Sequence, residues 1–239
     1  MCPMENKMAK RGKRYRGISE QVDRLQLYTI DEAISLVKKT GGAKFDETVD
    51  LASRLGIDAR QSEQNIRGTV ALPHGTGKSA RVVVFAQGDP ARQAEEAGAD
   101  FVGTDDLVDK IAEGWLEFDA TIATPDLVRS IMPKLGRILG PRGLMPNAKA
   151  GTVTMDVAET IQSIKAGQIE YRVERSSGIV HVPIGKVSFE EKSLKQNLDA
   201  VMGAIVAARP SAVKGRYIRS VAISSTMGVS IRIDPQQFS

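Results

Sequence analysis

Between Arg81 and Met132 the sequence alternates short apolar runs with amphipathic ones, and this alternation leaves little choice of fold. Arg81-Val82-Val83-Val84-Phe85-Ala86 is a continuous apolar run, the pattern of a parallel strand buried on both faces. A helix is predicted from Pro90 to Ala97, ended by Gly98, then a short strand from Asp100 to Gly103. A second helix follows from Asp105 to Glu113, ended by Gly114, and a strand from Phe118 to Ala123. Thr124-Pro125-Asp126 then offers an N-cap residue with proline at the first helical position, and Leu127, Val128, Ile131 and Met132 follow at helical spacing. The β-α-β-α-β-α order with short links predicts a doubly wound α/β unit. Asp156 and Glu159 open one more helix, which stops at Gly167.

The flanks of this unit are each too small to form a layered domain alone. On the N-terminal side, Thr29-Ile30-Asp31-Glu32 is a capping-box signature for a helix with Ala33, Ile34 and Val37 on its apolar stripe. Lys44 to Leu51 alternates as a strand, with Phe45, Val49 and Leu51 on one face and Asp46, Thr48 and Asp50 on the other; Ile66 to Leu72 reads as another. On the C-terminal side, Gln168 to Glu174 and Ile179 to Ile184 read as strands joined by Ser176-Ser177-Gly178. Ser188-x-x-Glu191 predicts the cap of a helix carrying Leu194, Leu198, Val201 and Ile205. Tyr217 to Ile223 and Val229 to Ile233 form a final hairpin. Pooled, the flanks supply an antiparallel sheet with helices on one face. The expected fold class is therefore α/β: an α+β two-layer domain built from both chain ends, residues 1–74 and 168–239, with an inserted three-layer Rossmann-like domain at 75–167. The crossings near His74–Gly77 and near Gly167 carry glycines and predict a hinge. Lys134 to Asn147, rich in glycine and proline, reads as a positioned loop or an interdomain brace.

Charge is distributed unevenly. The net charge is only +4, yet residues 1–16 hold six bases against Glu5, which reads as a flexible basic arm that tracks phosphate. From Asp89 to Asp119 there are ten acids and two bases, a net of −8 that repels nucleic acid. The tip of the final hairpin, Ser224-Ser225-Thr226-Met227-Gly228, has no acid and offers three hydroxyls, a thioether and a glycine. Arg209, Lys214, Arg216 and Arg219 lie just upstream. Hydroxyls beside a basic approach suit ribose and phosphate; an ordinary turn with a solvated basic arm is the competing reading. Aromatics are 5% of the chain, too few for a surface that works mainly by base stacking. The single cysteine, Cys2, allows no internal disulfide and fits a reducing compartment. No apolar run approaches the about 18 residues of a membrane span, and the basic N-terminus lacks the apolar core of a secretory signal.

No site for catalysis emerges. Gly75-Thr76-Gly77-Lys78-Ser79 suggests a P-loop-like nucleotide triphosphatase, but the first glycine of that motif falls on Leu72, and a strand follows where a helix is needed. The first turn of the α/β unit, Gln87-Gly88-Asp89-Pro90-Ala91-Arg92, lacks the dinucleotide fingerprint. His74 and His181 have no second histidine or cysteine at ligand spacing. No enzyme activity, cofactor or metal is expected.

Four motifs in order carry a resemblance: Lys44-Phe45-Asp46-Glu47-Thr48-Val49, Asn65-Ile66-Arg67-Gly68-Thr69-Val70, the run Gly136 to Asn147, and Ser225-Thr226-Met227-Gly228. With them the chain resembles the bacterial large-subunit ribosomal protein L1 family from about Met8 to Asp234. The resemblance implies a structural constituent of the large ribosomal subunit, with one domain built from both ends and an inserted Rossmann-like unit. It implies binding to 23S-type ribosomal RNA in the mobile stalk near the exit site, assistance in release of deacylated tRNA, and repression through the chain's own operon mRNA. It further implies a cytoplasmic protein that is monomeric off the ribosome. Carried over by motif, the RNA face is Lys44, Phe45, Thr48, Arg172, Ser220, Thr226, Met227 and Gly228. Thr226 and Ser220 would bond ribose or phosphate, Gly228 would permit close approach, Met227 and Phe45 would pack on sugar or base, and Lys44 and Arg172 would supply charge. The parity of Phe45 with Val49 and Leu51 leaves a core position as its competing reading. Val229 stands where some relatives have proline, and the segment before Met8 is outside the usual pattern.

Overall fold

The computed structural model describes residues 12–238 except 24, 59–63, 175, 212 and 214. Most of the basic arm, with Cys2, and also Lys214, therefore lie outside the described residues. Of the arm's described part, Lys13 to Arg16 lies in a helix, α1 (Lys13–Ser19), where a flexible arm was expected.

One sheet grows around β1 (Thr48–Leu55), whose burial alternates along its length. On one side it pairs antiparallel with β7 (Ile179–Lys186), and on the other with β8 (Ile218–Ser225), which pairs in turn with β9 (Ile231–Ile233). The order is β7-β1-β8-β9. Pro183 is tolerated in β7 because that strand is an edge, where a missing N–H interrupts no second ladder. Helices α2 (Ile30–Thr40) and α7 (Glu191–Ala207) cover one face, joining Ile34, Val37, Leu51, Val182, Leu194, Leu198 and Ile223 in one core. The predicted capping box of α2 forms: the Glu32 N–H donates to Thr29 Oγ1 at 3.4 Å and the Thr29 N–H to Glu32 Oε2 at 3.0 Å. The predicted Ser188 cap of α7 does not. Glu190 is the N-cap residue, and the Ser188 hydroxyl donates to Asp46 Oδ2 at 2.8 Å instead.

The strand from Ile66 departs from expectation in a second way. β2 (Arg67–Ala71) does not join the four-stranded sheet; it pairs with β6 (Gln168–Arg172) as a separate two-stranded ribbon. Gly68 is needed there, because a Cβ would sit 2.8 Å from the hydroxyl of Tyr171 directly opposite.

Residues 82–161 build the doubly wound layers. β3 (Val82–Phe85) lies between β4 (Phe101–Gly103) and β5 (Ala120–Ala123), all parallel. Helices α3 (Asp89–Glu96) and α6 (Val157–Lys165) close one face around Val82, Val84, Ala94, Ile122 and Ile161. Helices α4 (Asp105–Ala112) and α5 (Pro125–Arg142) close the other around Val83, Phe85, Ile111, Leu135 and Leu139. Glycine and proline suggested a loop from Lys134; α5 instead runs on to Arg142 with Pro133 and Pro141 inside it. Burial of Ile131, Leu135 and Leu139 on one stripe outweighs the about 3 kcal/mol cost of an internal proline. Gly143 then ends the helix in the left-handed conformation.

Candidate nucleic-acid interface

With α2 and α7 on one face of the four-stranded sheet, the opposite face is left to the alternate residues. β1 contributes Thr48, Asp50, Ala52 and Arg54; β8 contributes Ser224, Ala222 and Ser220 directly across from Asp50, Ala52 and Arg54. His181, Pro183 and Lys186 complete it from β7. All of these are exposed or half-buried, whereas Val49, Leu51, Val221 and Ile223 between them are buried. These side chains are mostly small or polar, and only Asp50 among them carries negative charge. Burial pushes the Asp50 carboxyl above its ordinary value, against the pull of Lys78, His181 and Lys186.

One end of this face is organised by a carboxylate. Glu47 is 2% exposed; its Oε1 accepts from the N–H groups of Gly42 (3.0 Å) and Ala43 (2.9 Å), and its Oε2 from Met227 N–H (2.8 Å). Arg14 of α1 lies 3.9 Å from the same carboxylate and donates to the Met227 carbonyl at 2.9 Å. Burial raises the Glu47 pKa, but the Met227 N–H, the Ser225 hydroxyl and the Ala43 and Gly42 N–H groups together hold it below the ordinary value of 4.5. The loop holding Lys44 and Phe45 and the turn holding Met227 are thus tied to one side chain. Asp46 anchors the loop a second time through Ser188, whose N–H and hydroxyl donate at 3.2 and 2.8 Å.

Against this geometry the eight residues of the inferred RNA face fall into two groups. Lys44, Phe45, Thr48, Thr226, Met227 and Gly228 gather at the Glu47 end. Phe45 is 55% exposed and Met227 53%, so the core reading of Phe45 is wrong: the chain bends through Lys44–Phe45 and β1 begins only at Thr48, which ends the alternation that linked Phe45 to Val49. The Thr226 hydroxyl is engaged within the protein, accepting from Thr48 N–H at 3.0 Å and donating to Thr48 C=O at 3.2 Å. Thr48 Oγ1 in turn accepts from Lys186 Nζ at 3.0 Å. Of the three tip hydroxyls, Ser225 is buried and faces inward. Gly228 has an internal reason to be glycine, since a Cβ there would meet Ser225 Oγ at 2.3 Å. Ser220 sits six residues along β8 from Thr226, about 20 Å at the rise of a strand. Arg172 is exposed on the β2–β6 ribbon, opposite Arg67, and lines a cleft with Asn65, Glu174 and His181.

Sequence reasoning missed the residues that build the site rather than face solvent. Glu47, Lys186 and Arg14 are charged residues with no local signature of their structural roles. Asn197, fully buried on α7, is another: its Oδ1 accepts from His74 N–H (3.1 Å), and its Nδ2 donates to the carbonyls of Gly75 (3.0 Å) and Ile184 (2.8 Å). A buried asparagine holding two backbone groups of the 74–75 crossing is its one clue, and it needs the fold to be seen. The two crossings touch; a Cβ on Gly167, at φ +104, would lie 2.4 Å from the Gly75 Cα. The Gly75–Ser79 segment leads into β3, so the helix that a P-loop requires directly after its motif does not follow it.

Residues 37–229, well over half of the 239-residue chain, match the ribosomal protein L1p/L10e family. The chain belongs to that family. It is accordingly a ribosomal protein, in a structural rather than an enzymatic family. The matched range includes seven of the eight inferred contact residues at the loop and hairpin tip and on β8, and Arg172 as the eighth, so the whole inferred face lies within the family match.

Proposed function

We propose that this L1p/L10e member binds 23S-type ribosomal RNA of the large subunit through the open face of the four-stranded sheet. In this reading Phe45 and Met227 pack on sugar or base, Lys44 and Arg172 meet phosphate, and Ser220, Thr48 and Thr226 face ribose. The observation that carries it is the fastening of two segments to one buried carboxylate, Glu47, with Lys44 and an exposed Phe45 on one and an exposed Met227 on the other.

The same reading takes residues 1–74 with 168–239 as the RNA-binding domain and 75–167 as an inserted domain. The separate cores support this, one drawn from Val22–Leu72 and Tyr171–Ile233 and the others from residues within 82–161. The motif resemblance extends the proposal to a bacterial-type L1 in the ribosomal stalk, acting in the cytoplasm as deacylated tRNA leaves the exit site and repressing its own operon mRNA. The test is binding to a structured ribosomal RNA fragment over a salt series, with a random duplex as control. Met227→Ala and Phe45→Ala should weaken the ribosomal fragment selectively and leave thermal stability unchanged. Equal affinity of parent and both variants would remove this face from RNA recognition.

A further inference from the structure

Residues 101–118 carry an exposed aromatic surface outside the proposed RNA face. Phe101, on the edge strand β4, is 39% exposed and meets Trp115 edge to face, with ring centroids 4.7 Å apart at 79°. Trp115 is backed by buried Phe118 at 5.4 Å, which holds its ring in place. Leu107, Lys110 and Glu113 complete an open groove of about 420 Å³ around the two rings. β4 has a neighbour on one side only, so the groove runs along a free sheet edge.

The charge around it selects the occupant. The groove lies in the segment with a net charge of −8, and the acids there are mostly unmatched: among the described residues only Asp100, Asp105 and Asp119 have an ion pair, with Lys165, Lys134 and Arg81. Asp89, Glu95, Glu96, Asp106, Asp109, Glu113 and Glu117 are exposed or half-buried without one. Nucleic acid is repelled from such a surface, and a purely apolar partner leaves the carboxylates uncompensated. A guanidinium satisfies both features: it stacks flat on an aromatic face and donates paired hydrogen bonds to a carboxylate such as Glu113. We propose that the Phe101–Trp115 groove is a docking site for an arginine-bearing cationic segment of another protein, with the guanidinium on the Trp115 ring. This site is independent of the RNA reading.

Trp115 is the chain's one tryptophan, so its emission reports the groove directly. The probe is a peptide of alternating glycine and arginine, titrated into the full chain, with glycine–lysine and glycine–glutamate peptides in parallel. The expected result is a saturable change in Trp115 emission with the arginine peptide, weaker with lysine and absent with glutamate. Phe101→Ser should weaken it about tenfold. Lys110→Glu, an exposed substitution that removes the one cation in the groove, should tighten it and does not depend on the aromatic pair for folding. No saturable change, equal binding in Phe101→Ser, lysine binding as tightly as arginine, or no gain in Lys110→Glu would each overturn the proposal.

Discussion

The four-stranded sheet hides one face and shows the other, whereas the three-stranded sheet hides both. In the first, α2 and α7 lie on the same side, so every second residue of β1 and β8 is free of the core. In the second, α3 and α6 close one face and α4 and α5 the other, so Val82 to Phe85 is buried at every position. The number of covered faces decides where a flat partner can lie. An antiparallel sheet with one open face offers a broad polar surface, while a doubly wound sheet leaves only its edges and the outer sides of its helices. Charge follows the same division: Lys44, Arg54, Lys186 and Arg219 belong to the first region, and the −8 segment to the second.

The largest expected effect tests whether the two regions are energetically separate. Phe85→Ala, at a fully buried position of β3, should cost about 3–5 kcal/mol of stability in the layers around the three-stranded sheet, seen by calorimetry as an early transition. RNA affinity at low temperature should stay within about twofold; a parallel collapse of binding would show that the two regions fold as one. Next come the exposed tip residues. Removing Met227 or Phe45 should each cost about 1–3 kcal/mol of RNA affinity, in the range of one lost base contact, with no shift in melting temperature. Thr226→Ala is expected to differ from these, losing affinity and stability together, because its hydroxyl bridges to both backbone groups of Thr48.

Glu47→Gln distinguishes a scaffold carboxylate from a contact. It should destabilise the protein by about 1–3 kcal/mol and lower RNA affinity through the loosened loop. Because the folded-state pKa of Glu47 is depressed, its contribution is complete above 4.5 and is lost as pH falls through the folded value. Chemical denaturation of parent and variant should therefore differ by a constant amount near neutrality and converge in acid. A difference that grows in acid would contradict the assigned role. The smallest effect lies at the far end of α7, where Tyr217 donates to the Ile205 carbonyl at 2.9 Å. Burial, followed by the neighbouring Tyr171, pushes its hydroxyl up to about 12 despite nearby Arg209. Tyr217→Phe should cost about 1 kcal/mol. The parent's advantage should be full below pH 10, the ordinary tyrosine value, and vanish as pH rises through about 12.

Much of this molecule was legible in one dimension because its signals are local. The α2 capping box, the apolar run of β3 and the Thr124–Pro125 helix start each depend on neighbours within a turn or a strand. The failures have a common cause in partners distant along the chain. Ser188 had the spacing of a cap, but Asp46, 142 residues away, took its hydroxyl. Gly136, Gly140 and Pro141 gave Lys134 to Asn147 the look of a loop, but the stripe of Ile131, Leu135 and Leu139 had a sheet to pack on. Phe45 had core parity, but Glu47 bends the chain ahead of β1 by collecting the Gly42, Ala43 and Met227 N–H groups.

From its sequence alone, this chain specifies most of its strands and helices and its two kinds of layer, because periodicity, caps and charge blocks act over a few residues. Which face of the sheet stays open, which hydroxyls of the tip remain outward, and that Asn197 fastens the crossing at Gly75 were decided only by tertiary structure. Each of these depends on burial and hydrogen bonds between segments more than a hundred residues apart, and no local pattern records them.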